Sequence, residues 1–167
     1  MSGVSNTGPL IALAKVDRLG LLERLFDQVH LPPAVYRELL AKAGREVARL
    51  EHALATFIHV TGRPRLTPVV QEATLYLDPG EQEAIALAHE MGLPLLMDDR
   101  LGRQAARRLN LVLTGVAGVL IQSKAAGLIP QVRPVLAQMR EYGYWLSDEL
   151  LDVAAQLAGE SAPEGGP

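Results

Sequence analysis

The chain contains no cysteine. That absence excludes disulfide scaffolds, thiolate zinc sites, iron–sulfur clusters and cysteine nucleophiles. An excess of positive charge is also missing. Sixteen Lys and Arg face nineteen Asp and Glu, for a formal net charge of −3, which rules out a globally basic nucleic-acid coat but not a local basic stripe. Aromatic residues are scarce, at 4%, with a single tryptophan. No long apolar run is present. The longest, 111–121, is interrupted by Thr114, Gly115 and Gly118, whereas a membrane span needs about 20 residues. Residues 1–8 (MSGVSNTG) have neither the basic start nor the apolar stretch of a secretory signal. These absences lead us to expect a cytoplasmic protein with no membrane association.

Several motifs are missing as well. The four histidines, His30, His52, His59 and His89, show no metal-binding spacing. No GxGxxG or GxxxxGK[ST] phosphate loop occurs, and no GxSxG hydrolase elbow.

What is present is the composition of one globular domain. The chain has 167 residues, of which 49% are hydrophobic and 21% charged. A chain of this size buries about 70% of its unfolded surface and can hold a core without staples. Short apolar segments at 4–5, 28–31, 57–60, 93–97 and 111–113 read as strands. Amphipathic patterns at 10–15, 19–26, 33–43, 46–56, 81–91, 100–110, 116–126, 131–142 and 148–158 read as helices. A Gly/Pro/Arg-rich loop covers 61–68. The segment 159–167 (GESAPEGGP) has the composition of a disordered tail, which leaves a single domain over 1–158.

Strands alternating with helices imply an α/β fold with a central parallel sheet covered on both faces. Function in such sheets sits beyond the carboxyl ends of the strands. Asn6-Thr7 follows the first strand, Asp98-Asp99 follows the segment 93–97, and Thr114 lies just past the last strand. Asp98 and Asp99 are hard oxygen donors suited to Mg²⁺ or Mn²⁺, and either can instead cap the helix beginning at Arg100. Asp78-Pro79-Gly80-Glu81 reads as a capping box, yet Glu81 shares a helix face with Ala84, Ile85 and Ala88. Glu83 points elsewhere and reads as solvated. Glu38, in mid-helix, reads as a surface or boundary residue, and Asn6 as a helix cap. Arg100, Arg103 and Arg107 share one helix face, either a solvated stripe or a phosphate contact.

The segments VSNTGPLIALAK (4–15), LPPAVYREL (31–39), LDPGEQEAIALAHEMGLPLLMDDRLGR (77–103) and LVLTGVAGVL (111–120) resemble a PIN-domain protein, and more narrowly its VapC-like branch. The resemblance runs from about Val4 to Glu160. It implies a three-layer α/β/α sandwich and a metal-dependent endoribonuclease acting on single-stranded RNA. Four acidic positions of the family fall on Asn6, Glu38, Glu81 and Asp99, with Asp98 beside the last. The resemblance thus makes Glu38, Glu81, Asp99 and Asp98 candidate ligands for Mg²⁺ or Mn²⁺. Thr7 and Thr114 become candidates to orient water or phosphate, and Arg100 and Arg103 to hold the RNA backbone. It also implies a small antitoxin partner and a homodimer. One departure stands out: Asn6 occupies a position usually written Asp. An amide oxygen can ligate a cation but brings no charge, so a non-catalytic RNA- or partner-binding module is the alternative.

Overall fold

The strand Ser2–Ser5 (β1) lies at the centre of a five-stranded parallel sheet in this computed structural model, which describes residues 1–160. Its neighbours are β2 (Gln28–Leu31) on one side and β4 (Leu95–Leu96) on the other. Outside them lie β3 (Ile58–Val60) and β5 (Leu113–Thr114), for the order β3-β2-β1-β4-β5. Val4 pairs with both His30 and Leu95, so a single residue ties the two halves of the sheet together.

Helices α1 (Thr7–Lys15), α2 (Gly20–Leu25), α3 (Pro33–Lys42), α4 (Val47–Thr56) and α5 (Pro68–Ala73) precede β4, together with α6 (Pro79–Met91). After it come α7 (Arg100–Arg108), α8 (Val116–Ala125), α9 (Arg133–Glu141) and α10 (Asp148–Leu157). Helices flank the sheet on both faces, which gives the expected α/β/α sandwich. The central strands carry buried apolar residues because both faces are covered. Val4, Val29, Leu31, Leu95 and Leu96 are all buried, packed with Leu10, Leu13, Leu39, Ile85 and Leu120.

Local signals set the helix ends. Asp78 caps α6 by accepting from the Glu81 amide at 2.8 Å, and the Glu81 carboxylate accepts from the Asp78 amide at 3.2 Å. This reciprocal pair is the capping box the sequence suggests, with Pro79 at the first turn. Gly92 ends the helix in the left-handed region, at φ 64°.

The structure corrects several boundaries. Helix α1 starts at Thr7 rather than residue 10, directly after Asn6. β4 and β5 are shorter than or offset from the apolar runs, although flanking amides extend the ladder: Met97 N donates to the Thr114 carbonyl at 2.9 Å and Leu95 N to that of Val112 at 2.8 Å. Helix α5 was not anticipated. Thr67 caps it and Pro68 opens it, a start signal hidden beside a Pro-rich loop. Gly159 and Glu160 do not belong to a loose tail. The Glu160 carboxylate accepts from the amides of Val132 at 2.6 Å and Arg133 at 3.0 Å and pairs with Lys124 at 3.1 Å. The rest of the expected tail, 161–167, lies outside the described residues.

Glu83 is likewise not solvated. It is 6% exposed, and its Oε2 accepts from the Ala34 amide at 2.9 Å. It therefore satisfies a free N–H in the first turn of α3, where Pro32 and Pro33 offer none. Arg63 stands 3.8 Å from its other oxygen.

Candidate active site

A cavity of about 440 Å³ opens at the carboxyl ends of β1 and β4. Asn6, Glu38, Glu81, Asp98 and Asp99 all line it, so four segments spread over more than ninety residues of chain meet there. Asp78 and Lys42 join them, and Tyr144, Trp145, Leu146 and Leu150 also line the cavity.

Asn6 stands at the N-cap position of α1, but its side chain makes no capping bond. Its backbone N–H donates to the Leu96 carbonyl at 2.9 Å, which stitches it to the sheet. The residue is 8% exposed, and its Oδ1 is buried without a hydrogen-bond partner. Native proteins leave few such acceptors unpaired, because each costs the free energy of stripping it of water.

Glu38 is held from two sides. Thr7 Oγ1 donates to its Oε2 at 3.1 Å, and Lys42 Nζ to its Oε1 at 2.6 Å, one turn along α3. The carboxylate rests against the first turn of α6, where a Cβ on Gly80 would stand 2.6 Å from Oε2. Only glycine admits that approach, and the positive end of the α6 dipole favours the negative charge. The bond it donates to Glu38 holds the Lys42 ammonium above its usual range, with Asp78 and Glu81 adding to the effect.

Glu81 carries the clearest electrostatic signature. Burial, followed by the nearby charges of Asp78 and Asp99, pushes its carboxyl up to about 7. Crowded carboxylates resist a further negative charge, so one of them keeps a proton.

The two consecutive aspartates divide their work. Asp99 Oδ2 caps α7 by accepting from the Gly102 amide at 2.7 Å. Asp98 caps a different helix. Its two oxygens accept from the Val116 amide of α8 at 3.1 and 3.3 Å, and Oδ2 also accepts from Tyr144 Oη at 2.8 Å. Gly115 makes room for this carboxylate, since a Cβ there would collide with Oδ1. Desolvation of the Asp98 head raises its pKa, against the pull of these hydrogen bonds and of Arg103. Asp98 thus latches α8 and the segment before α10 to the sheet edge.

The remaining candidates separate from the acidic set. Thr7 belongs to it through Glu38. Arg103 and Thr114 lie instead in an adjoining groove of about 410 Å³ that shares only Asp98 and Leu150 with the first cavity. The Arg103 guanidinium donates to the Met97 carbonyl at 2.7 Å. Arg100 is exposed and lines neither cavity. Lys42, Asp78, Tyr144 and Trp145 were not anticipated as site residues. Lys42 was legible as the i+4 partner of Glu38, and Tyr144-Trp145 as an aromatic pair in an aromatic-poor chain.

The donor set is all oxygen, which suits a hard divalent cation. The buried Asn6 Oδ1 and the proton held at Glu81 are two features such a cation would relieve. Among the described residues, however, no three His, Cys, Asp or Glu close into a ready cage. The set is therefore open, with Lys42 already on one of its members.

These features define an α/β domain with an oxygen-rich, acidic pocket at the carboxyl edge of a parallel sheet. The chain belongs to the PIN-domain family: the family model DUF3368, described as a PIN domain, matches residues 2–160. Among solved structures, the fold is similar to that of a PilT N-terminus domain protein from the hyperthermophilic archaeon Sulfolobus solfataricus. The two are 16% identical with a TM-score of 0.55, over 74% of this chain and 93% of that one. No curated protein matches the chain. Among the described residues, no helix is long and apolar enough to cross a membrane.

Proposed function

We propose that the protein is a metal-dependent endoribonuclease that hydrolyses single-stranded RNA, with Asn6, Glu38, Glu81 and Asp99 around one or two Mg²⁺ or Mn²⁺ ions. The observation that carries this reading is the buried, unpartnered Oδ1 of Asn6 in a pocket otherwise lined by carboxylates. When bound, the cation would acidify water and offset the charge that builds up at the scissile phosphate. The chain's own residues prepare that arrangement. Thr7 fixes the Glu38 carboxylate. Asp98 fixes the segment that presents Asp99. Glu81, whose carboxyl is raised to about 7 by burial and by Asp78 and Asp99, would be favoured in its ionised form beside a bound cation. As a protein of the VapC-like type it would work in the cytoplasm, as a homodimer silenced by a small antitoxin.

A second reading is a binding module without turnover. It is favoured by Lys42, whose ammonium already neutralises Glu38 at 2.6 Å, and by the missing charge at Asn6.

The test is cleavage of a mixed single-stranded RNA pool in Mn²⁺, Mg²⁺ or EDTA, with Asp99→Asn run alongside. Asparagine caps helices as well as aspartate does, so the variant keeps its fold. Cleavage that needs metal and disappears in Asp99→Asn is the expected result. Equal cleavage by both proteins overturns the assignment, and RNA binding without cleavage at any metal concentration selects the second reading.

A further inference from the structure

The segment between α9 and α10 carries the chain's only tryptophan. Gly143 bends the backbone into it at φ 95°, a conformation that favours glycine. The residues that follow are pinned on either side of that tryptophan. Tyr144 Oη donates to Asp98 Oδ2 at 2.8 Å. Leu146 is buried in the core, and Ser147 caps α10 by accepting from the Leu150 amide at 3.1 Å. Trp145, between them, is 83% exposed. It lines the same cavity as Asn6, Glu38, Glu81 and Asp99.

This is an unusual place to spend a chain's one indole. At that exposure it contributes little to the core, and it lines the acidic pocket rather than standing alone on the surface. Its backbone is fixed by anchored neighbours, so engaging a ligand there orders little that is not already ordered.

We propose that Trp145 is a base-stacking residue: its ring takes the face of a nucleobase in single-stranded RNA while the sugar–phosphate backbone crosses the carboxylate pocket. The inference rests on the reading of that pocket as an RNA site and adds to it a contact that no acidic residue can make. Carboxylates alone repel phosphate, so RNA affinity needs a contribution independent of charge. Stacking on an aromatic ring supplies it, and tolerates any base because every base has a π face. A protein partner seated on Trp145 is the rival. The lining that the indole shares argues for RNA, because it includes five carboxylates and the Asn6 amide.

The single tryptophan makes the test direct, because its emission reports on one residue. A short fluorescein-labelled single-stranded RNA and an abasic oligonucleotide of equal length would be titrated in Ca²⁺. Anisotropy would follow the label and tryptophan emission the protein, with Trp145→Ala and Trp145→Phe run in parallel and their masses compared by sedimentation. We expect the RNA, and not the abasic strand, to change the emission. Trp145→Ala should bind the RNA about tenfold more weakly while keeping its affinity for the abasic strand, and Trp145→Phe should recover part of the loss. Equal RNA affinity in Trp145→Ala and wild type overturns the proposal while leaving the pocket assignment standing. A fall in mass on Trp145→Ala also overturns it, by showing that a second copy covers the indole. If wild type binds neither strand, the RNA reading of the pocket fails and the stacking role fails with it.

Discussion

Thr7 and Glu38 meet beside the acidic pocket, the hydroxyl donating to Oε2 at 3.1 Å. The first residue of α1 therefore orients a carboxylate from the middle of α3. The other oxygen of that carboxylate is taken by Lys42, so each oxygen of Glu38 already has one partner within the protein.

A divalent cation entering the pocket must compete with Lys42. Replacing it with glutamine, Lys42→Gln, removes the competing charge and retains about half of the aliphatic stem. Mn²⁺ affinity, measured by titration calorimetry, should rise severalfold, with little change in unfolding free energy because the ion pair is exposed on the lysine side. Unchanged or weaker Mn²⁺ binding would show that the lysine is a bystander.

Asn6→Asp should act in opposite directions with and without metal. In EDTA the added carboxylate joins Glu38, Glu81 and Asp99 in a buried position, and the Tm should fall. In Mn²⁺ the same charge tightens cation binding, and the Tm gain on adding metal should exceed that of wild type. Thermal scans of both proteins in both buffers decide the matter; a Tm in EDTA equal to that of wild type would mean the side chain has turned away from the cluster.

The Glu81 carboxyl titrates near 7 in the folded protein against 4.5 in its ordinary state. Between those values the native state binds the proton more tightly than the unfolded chain does. Stability in chelator should therefore decline as pH rises from about 4.5 to 7. Glu81→Gln cannot ionise, so its stability curve should be flatter over that window. Urea denaturation at a series of pH values reads both slopes, and parallel curves would contradict the assignment.

Glu83 lies away from the pocket and serves as its control. Glu83→Ala strips the Ala34 amide of its acceptor in a buried setting, at a cost of about 1–3 kcal/mol. Glu83→Gln keeps an acceptor oxygen and should lose less. Both should bind Mn²⁺ as wild type does once folded, whereas a change in Mn²⁺ affinity would tie this helix start to the site.

The order of strands and helices was legible because each apolar run is short and bracketed by capping residues, as at Asp78 and Asp99. Boundaries slipped where the ladder and the apolar pattern part company, as at residues 111–114, where the hydrogen bonds follow Val112 and Thr114 rather than the leucines. The converging carboxylates were visible through family resemblance and through their place at strand ends. What single residues were doing was less visible. Glu83 looked solvated because its partner, the Ala34 amide, lies 49 residues earlier in the chain. Asn6 sits where an asparagine normally caps a helix, and nothing local reveals that its oxygen is left unpaired. Arg103 reads as a phosphate contact by charge and spacing, yet the Met97 carbonyl has claimed it. In each case the folded surroundings decide the role: a distant amide for Glu83, the lack of any partner for Asn6, and the end of the preceding strand segment for Arg103.

The sheet is wound outward from β1 in two directions, one half of the chain going to β2 and β3 and the other to β4 and β5. A break at the exposed Gly62-Arg63 would therefore fall between the halves without cutting a strand or helix. The first piece would carry Asn6 and Glu38, the second Glu81 and Asp99. Neither would hold the pocket by itself, and whatever the pocket does could be switched on by bringing two separately made polypeptides together.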